Sequence, residues 1–238
     1  MRESPAHSRA RRALPLKMSR GAKIFEDRAD AGRRLAKRLV RYGDQDPIVL
    51  ALPRGGAPVG YEISRLLGAP LDVIVARKLG APDQPELGIG AVAPGGVRVL
   101  NAAAVRALRI STDYLDRVTH KETAEMERRL RRFRGGCPDP EVRGRTAILV
   151  DDGLATGVTA QAAIKALRRM EPRRLVLAVP VCAAATAAWM ESEVDSLVCL
   201  EVPADLGAIG YWYRDFDQTS DEEVVRILED TRRGGKTL

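Results

Sequence analysis

Histidine is nearly absent from this 238-residue chain, with His7 and His120 its only two, and aromatic residues make up 4% of it. No histidine general base is evident, since His7 lies in a basic tail and His120 on a long polar helix. Cysteine is scarce too. Three residues cannot build a disulfide scaffold, and their odd number leaves at least one unpaired, which points to a reducing compartment. Cys137, Cys182 and Cys199 lack metal-site spacing, and the last two stand in apolar stretches as small core residues. Long hydrophobic runs are missing as well: charge, glycine or proline interrupts each one far short of the roughly 20 residues needed to cross a bilayer. The expectation is a soluble, cytoplasmic protein. What the chain does have is a 45% hydrophobic and a 30% charged fraction. That is enough to bury a core and too apolar for disorder throughout, over a length that suits one large domain or two small ones.

The net charge of +7 is unevenly placed. Residues 1–20 hold Arg2, Arg9, Arg11, Arg12, Lys17 and Arg20 against Glu3 alone, while the remaining 218 residues carry 33 basic and 31 acidic groups. The globular part is thus nearly neutral, and a nucleic-acid surface is not implied. The tail has no apolar segment of signal-peptide length, only Ala13–Leu16. Three readings compete for it: a disordered arm that touches anions, an Arg-rich targeting peptide, or an extension ahead of a start at Met18. The last is favoured, because Met18 stands just before the first periodic segment. The expected division is a basic tail over 1–20 and a single domain over 21–238.

From Phe25 the apolar spacing becomes helical and runs to Gly43. Pro47–Pro53, Leu71–Ala76, Arg145–Val150, Arg174–Val181 and Asp195–Leu200 are short apolar runs without alternation, the pattern of strands buried on both faces. Helical stretches follow at Val59–Leu67, Ser111–Arg134, Ala160–Met170 and Ala183–Glu191, with a last helix at Asp221–Thr231 capped by Ser220. The arginine run Arg128–Arg134, interleaved with Glu122, Glu125 and Glu127, reads as a solvated face. Gly80–Gly96, rich in glycine and proline, reads as an irregular, mobile loop. Strands alternating with helices predict an α/β fold, a doubly wound and mostly parallel sheet, whose ligands bind beyond the carboxyl ends of the strands.

The informative segment is Ala147–Ala160, AILVDDGLATGVTA. A buried strand ends in two adjacent carboxylates, Asp151 and Asp152. A loop of small residues and hydroxyls then enters a helix. Orphan N–H groups at a helix N-terminus, small residues that allow close approach and two hydroxyls make a phosphate cradle. The carboxylates would repel phosphate, but they can accept hydrogen bonds from sugar hydroxyls or hold a divalent ion through water. A nucleotide P-loop needs Lys where Val158 stands, and Gly153 and Gly157 do not have dinucleotide-fingerprint spacing. A strand end whose acids merely cap the next helix would account for one Asp and one Thr, not the whole string.

VDDGLATGVT resembles the phosphoribosyl pyrophosphate (PRPP) signature of type I phosphoribosyltransferases. LALPRGGAPVGYEI, VARKLGAPDQPELGIGAV and YWYRDFDQTSDEEV resemble parts of a bacterial subgroup of that family whose acceptor is unassigned. The resemblance runs from about Ile24 to the C-terminus. It implies a phosphoribosyltransferase-type sheet with a small hood from the chain ends, and an enzyme that uses PRPP, Mg²⁺ and a small-molecule acceptor. By the same resemblance Asp151 and Asp152 hold the ribose hydroxyls, directly or through water-bound Mg²⁺. Gly153, Leu154, Ala155, Thr156, Gly157, Val158 and Thr159 form the loop around the 5′-phosphate. Arg54, Gly55 and Gly56 match the pyrophosphate loop, while Arg77 and Lys78 match the basic pair at the start of a closing flexible loop. Arg54 and Lys78 with the two Asp are the expected catalytic groups, acting by charge neutralisation and positioning. Gly55-Gly56 as a mere tight turn and Arg77-Lys78 as a solvated strand end are the plainer alternatives.

Ala155 departs from the 6-oxopurine salvage enzymes, which carry an Asp acid/base there, so guanine and hypoxanthine are put in doubt as acceptors. The aromatics Tyr211, Trp212 and Tyr213 offer a face for a planar acceptor, against the plainer reading of local packing. Glu86 and Asp215 are further polar candidates. Two functions remain open: an Mg²⁺-dependent transferase to a nitrogenous acceptor, and a PRPP-sensing regulator with little or no turnover. Hydrolysis of a phosphorylated sugar is a weaker third. A homo-oligomer is compatible with the sequence; a membrane or nucleic-acid partner is not expected.

Overall fold

The computed structural model describes residues 24–234. The basic tail, and the readings attached to it, lie outside the described residues. Five parallel strands form the central sheet: β1 (Pro47–Ala51), β2 (Leu71–Val73), β6 (Thr146–Val150), β7 (Arg174–Val181) and β8 (Ser196–Glu201), in the order β2-β1-β6-β7-β8. The uniform apolarity of β1 and β6 has its cause here, since every residue in both is buried, with helices on either face. On one face α1 (Arg28–Leu39), α2 (Gly56–Leu67) and α7 (Asp221–Gly234) pack through Leu35, Leu39, Ile63, Val224 and Leu228 against Val49, Ile148 and Val176. On the other, α5 (Val158–Arg169) and α6 (Ala184–Met190) pack Ile164, Leu167 and Met190 against Ile48, Leu149 and Leu177. Ser220 caps α7 by accepting from Glu223 N at 3.0 Å. Of the expected helix from Phe25, the regular part begins at Arg28 behind the Asp27 cap, and Phe25 instead bridges to Tyr213.

Gly80–Gly96 is not an irregular loop. It lies within a three-stranded antiparallel sheet formed by β3 (Arg77–Ala81), β4 (Gln84–Ala93) and β5 (Val97–Leu100). Its glycines, which suggest a loop in sequence, are there because strands cross closely. A Cβ at Gly80 would meet Pro85 O at 2.5 Å, and one at Gly90 would meet Val99 O at 2.3 Å. One side of this sheet places Ala91, Ala93, Val97 and Val99 in the core shared with α5. The other side places Leu79, Ile89 and Val92 against Leu115 of α4 (Thr112–Arg134), which follows the short α3 (Ala102–Ala107). The arginine run on α4 is also less solvated than expected. Arg128 and Arg129 do pair with Glu125, but Arg134 is buried and reaches Asp72 and Val73 O, and Arg132 ties α4 to α7.

Candidate active site

The sheet order reverses between β1 and β6: the chain leaves β1 toward β2 on one side, and β6 leads to β7 and β8 on the other. At such a switch point the loops after the two central strands diverge and leave a crevice at the carboxyl edge. Register pairs Ala51 with Val150, so both strands end level. Leu52 N donates to Val150 O at 2.8 Å, fastening the first loop to the end of β6. The Pro53–Arg54 peptide is cis, and α2 starts directly at Gly56. The two glycines let this loop lie on the acidic pair. A Cβ at Gly55 would stand 1.9 Å from Asp152 Oδ2, and one at Gly56 would stand 2.6 Å from Val150 O. PRGG and VDDG, nearly a hundred residues apart, are therefore one surface, and Gly55 is more than a tight turn.

Beyond β6 the loop is fitted tightly from behind and open in front. Gly153 is packed so closely that a Cβ would be 2.7 Å from Ile209 Cγ2. Leu154 is buried and bridges to Cys182, with Leu154 N donating to Val181 O at 2.9 Å. Thr186 Oγ1 donates to Ala155 O. Gly157 takes a left-handed conformation at φ 69°, wedged against Met190 and Thr186, and opens α5 at Val158. Ala155 and Thr156 are exposed at the apex, and Thr159 is half-buried in the first helical turn. The first-turn amides of α5 have no intrahelical acceptor, which leaves this end of the helix suited to an anion.

Asp152 N donates to Asp151 Oδ1 at 2.9 Å. Burial and the neighbouring Asp152 charge push the Asp151 carboxyl well above the usual carboxylate range. Burial raises Asp152 as well, against the opposing pull of Arg28. Arg28 is the residue that sequence reasoning missed. Its Nε donates to Asp152 Oδ2 at 2.8 Å and its Nη1 to Asp217 O at 2.7 Å, while its guanidinium lies 3.9 Å above the Phe216 ring. One signal was available: a cation on the first residue of α1, where the helix dipole favours acids.

The hood joins the segment ahead of α1 to the segment between β8 and α7. Phe25 N donates to Trp212 O at 2.9 Å, Arg214 N to Phe25 O at 2.9 Å and Asp215 N to Glu26 O at 2.8 Å. Within it, Tyr213 is fully buried, its ring between Phe25 and Phe216, and its hydroxyl donates to Asp152 O at 2.6 Å. That fixes Tyr213 as a packing residue under the acidic pair, with no free ring face for an acceptor. Burial and the Asp152 charge raise its phenol pKa, so it stays a donor. Trp212 is half-buried with Nε1 donating to Leu206 O, and Tyr211 is 72% exposed.

The basic pair is engaged elsewhere. Arg77 donates twice to Glu122 Oε2 on α4, and Lys78 Nζ donates to Glu86 O and Oε2 at 2.8 and 3.0 Å. Glu86 is thus a partner of Lys78, and Asp215 accepts from Asp217 N. Both cations line a cleft of about 630 Å³ between the small sheet and α4, with Tyr114 and Lys121 opposite. Arg54 Nη1 lies 3.6 Å from Asp221 Oδ1.

A parallel α/β sheet with a loop of small residues entering a helix, and an acidic pair beside it at the switch point, is an arrangement able to hold an anion next to hydroxyl donors. The sequence model of the phosphoribosyl transferase domain matches residues 22–213, and the chain belongs to that family. It is similar to a protein of Mycobacterium tuberculosis, found in two strains and named only provisionally as a phosphoribosyl transferase. The two are 47% identical over 211 residues, 89% of this chain and 48% of the relative. The chain spans about half the length of the curated relatives it matches. The crystal structure of TT1426 from Thermus thermophilus superposes with a TM-score of 0.74 at 40% identity, covering 87% of this chain and 98% of that one. Among the described residues no helix is long and apolar enough to cross a membrane.

Proposed function

We propose that the chain transfers the phosphoribosyl group of PRPP to a nitrogenous, nucleobase-like acceptor and releases pyrophosphate, with Mg²⁺ as cofactor. The observation that supports this best is the contact between Gly55 and Asp152, which joins a candidate pyrophosphate loop to a candidate ribose and 5′-phosphate loop in one crevice. In the reaction the anomeric C–O bond breaks, its electron pair leaves with pyrophosphate, and the acceptor nitrogen's lone pair forms the new bond. Asp151 and Asp152 accept hydrogen bonds from the ribose hydroxyls and face the positive charge that builds on the ring. Gly153 to Thr159 form the loop around the 5′-phosphate, which the amides on the helix side of Leu154 and the Thr156 and Thr159 hydroxyls contact, the Leu154 amide being held by Val181 O. Arg54, with the amide of Gly55, binds the departing oxygens, the Gly56 amide being held by Leu52 O. Lys78 joins them once it exchanges Glu86 for phosphate, with Arg77 holding the base of the small sheet to α4 through Glu122.

The donors fit Mg²⁺. Two hard carboxylates stand side by side, and Arg28 occupies one of their four oxygens. Among the described residues no group of three or more His, Cys, Asp or Glu could hold an ion alone. Water and substrate oxygens would complete the shell, as is usual for this ion. When bound, Mg²⁺ supplies positive charge to the pyrophosphate oxygens. Tyr211 and Trp212 remain the aromatic candidates beside the acceptor. Ala155 offers no acid or base, so an acceptor nucleophilic without deprotonation suits the site. A pyrophosphate-release screen with PRPP, Mg²⁺ and a panel of nitrogenous bases tests the reading. Release dependent on one base establishes the transferase. PRPP binding without release for any base would favour a sensor, and absence of PRPP binding would refute both.

A further inference from the structure

Among the described residues one buried side-chain oxygen has no hydrogen-bond partner, Oδ1 of Asp221. A buried acceptor left unsatisfied is costly, so it calls for a reason. Asp221 opens α7, and its other oxygen, Oδ2, accepts from Arg132 Nη1 of α4 at 2.9 Å. Facing the orphan oxygen at 3.6 Å is Nη1 of Arg54, too far for a full hydrogen bond but near enough for strong attraction between a cation and a largely buried carboxylate.

We propose that Asp221 is a positioning residue for Arg54, holding one edge of its guanidinium so that the other edge is presented to a pyrophosphate group. The inference rests on the assignment of the PRGG loop to pyrophosphate. A guanidinium is a rigid fork of five donors, so a carboxylate on one edge leaves the remaining N–H groups aimed outward as a set. Arg54 needs such a hold because its loop lies against Asp152, as the contact at Gly55 shows. An unrestrained guanidinium there would fold onto the acidic pair, one oxygen of which already holds Arg28. Asp221, fixed as the first residue of α7, competes for it from the far side. The arrangement also explains the orphan oxygen. It is a seat that Arg54 covers without fully closing, which leaves the side chain free to adjust to an anion.

Titration calorimetry with Mg²⁺ and three probes, PRPP, inorganic pyrophosphate and ribose 5-phosphate, tests this. Asp221→Asn keeps shape and the Arg132 contact but removes the charge. It should weaken PRPP and pyrophosphate about tenfold, in the range of couplings between contacting residues. Ribose 5-phosphate, which lacks the pyrophosphate, should bind as to wild type. In an Arg54→Ala background, Asp221→Asn should add no further loss. Arg132→Gln, which loosens α7 and leaves Oδ1 facing Arg54, should lower the melting temperature with little change for any probe. Equal weakening of all three probes by Asp221→Asn, an undiminished effect in the Arg54→Ala background, or the same pattern from Arg132→Gln would overturn the proposal. If wild-type protein binds PRPP no more tightly than ribose 5-phosphate, the pyrophosphate assignment itself fails and the inference fails with it.

Discussion

Replacing Arg28 with Met separates the electrostatics of the site from its packing. Methionine retains an unbranched stem over the Phe216 ring but removes the hydrogen bonds to Asp152 Oδ2 and Asp217 O. The two side chains are 12% and 13% exposed, so the pair is largely, though not wholly, out of water. Breaking a fully buried pair costs about 3–5 kcal/mol, mostly because the remaining charge is stranded. With a partly open Asp152, about 2–3 kcal/mol is expected, and at about 2–4 °C per kcal/mol for a domain of this size the melting temperature should fall by about 5–10 °C. The second half of the test is sharper. Asp152→Asn added to Arg28→Met removes the stranded charge, so the double variant should melt above the single one. Circular dichroism melts at pH 7 in EDTA measure both. A single variant within about 2 °C of wild type, or a double variant below the single, would refute the view that Arg28 compensates Asp152.

Other substitutions probe the same crevice. Asp151→Asn with Asp152→Asn removes two charged acceptors, and at roughly 1.5–3 kcal/mol for each bond to a charged group the partial loss should weaken PRPP by about one to three orders of magnitude in calorimetry. Unchanged affinity in a folded variant would reject the ribose assignment. Asp151 also carries a pH signature. Its folded-state pKa is raised by burial and by Asp152, so its contribution to stability is present at low pH and is lost as pH rises from the unfolded carboxylate value, about 3.9, through the folded one. Metal-free Asp151→Asn should therefore melt above wild type at pH 7, with the gap closing toward pH 4; a gap of opposite sign or constant size refutes this. Gly55→Ala introduces no backbone strain at φ −60° but sets a methyl 1.9 Å from Asp152 Oδ2. Pyrophosphate affinity should drop at least about tenfold while far-UV dichroism is kept, and retained affinity would mean that the contact does not shape the site. Tyr211→Ala, at a 72% exposed position, should raise the acceptor KM with no change in melting temperature or PRPP affinity; a PRPP effect would place Tyr211 elsewhere.

The central sheet was legible because burial on both faces writes itself into sequence as unbroken apolar runs, and β1 and β6 are buried at every position. The candidate loop after β6 stands out because its residue types are local: acids, small residues and hydroxyls follow one another in the chain. The small antiparallel sheet was not, because Gly80 and Gly90 serve interstrand contacts whose partners, Pro85 and Val99, only the fold supplies, while in sequence they read as loop formers. Tyr213 offers a ligand face in sequence, with local packing the plainer alternative, for a similar reason. An aromatic triplet does not reveal which ring turns inward, and the bridge between Phe25 and residue 213 decides it. Arg28 and Asp221 look ordinary along the chain, and nothing there ties them to Asp152 or Arg54. Their relation depends on strand order, which sets the loop after β1 on the end of β6, and on the segments before α1 and after β8 closing over that edge. Local composition determined the central strands and the residue types of the candidate loop, whereas the small sheet and charge compensation among distant residues were decided by topology, since strand contacts and Coulomb interactions depend on separation in space rather than along the sequence.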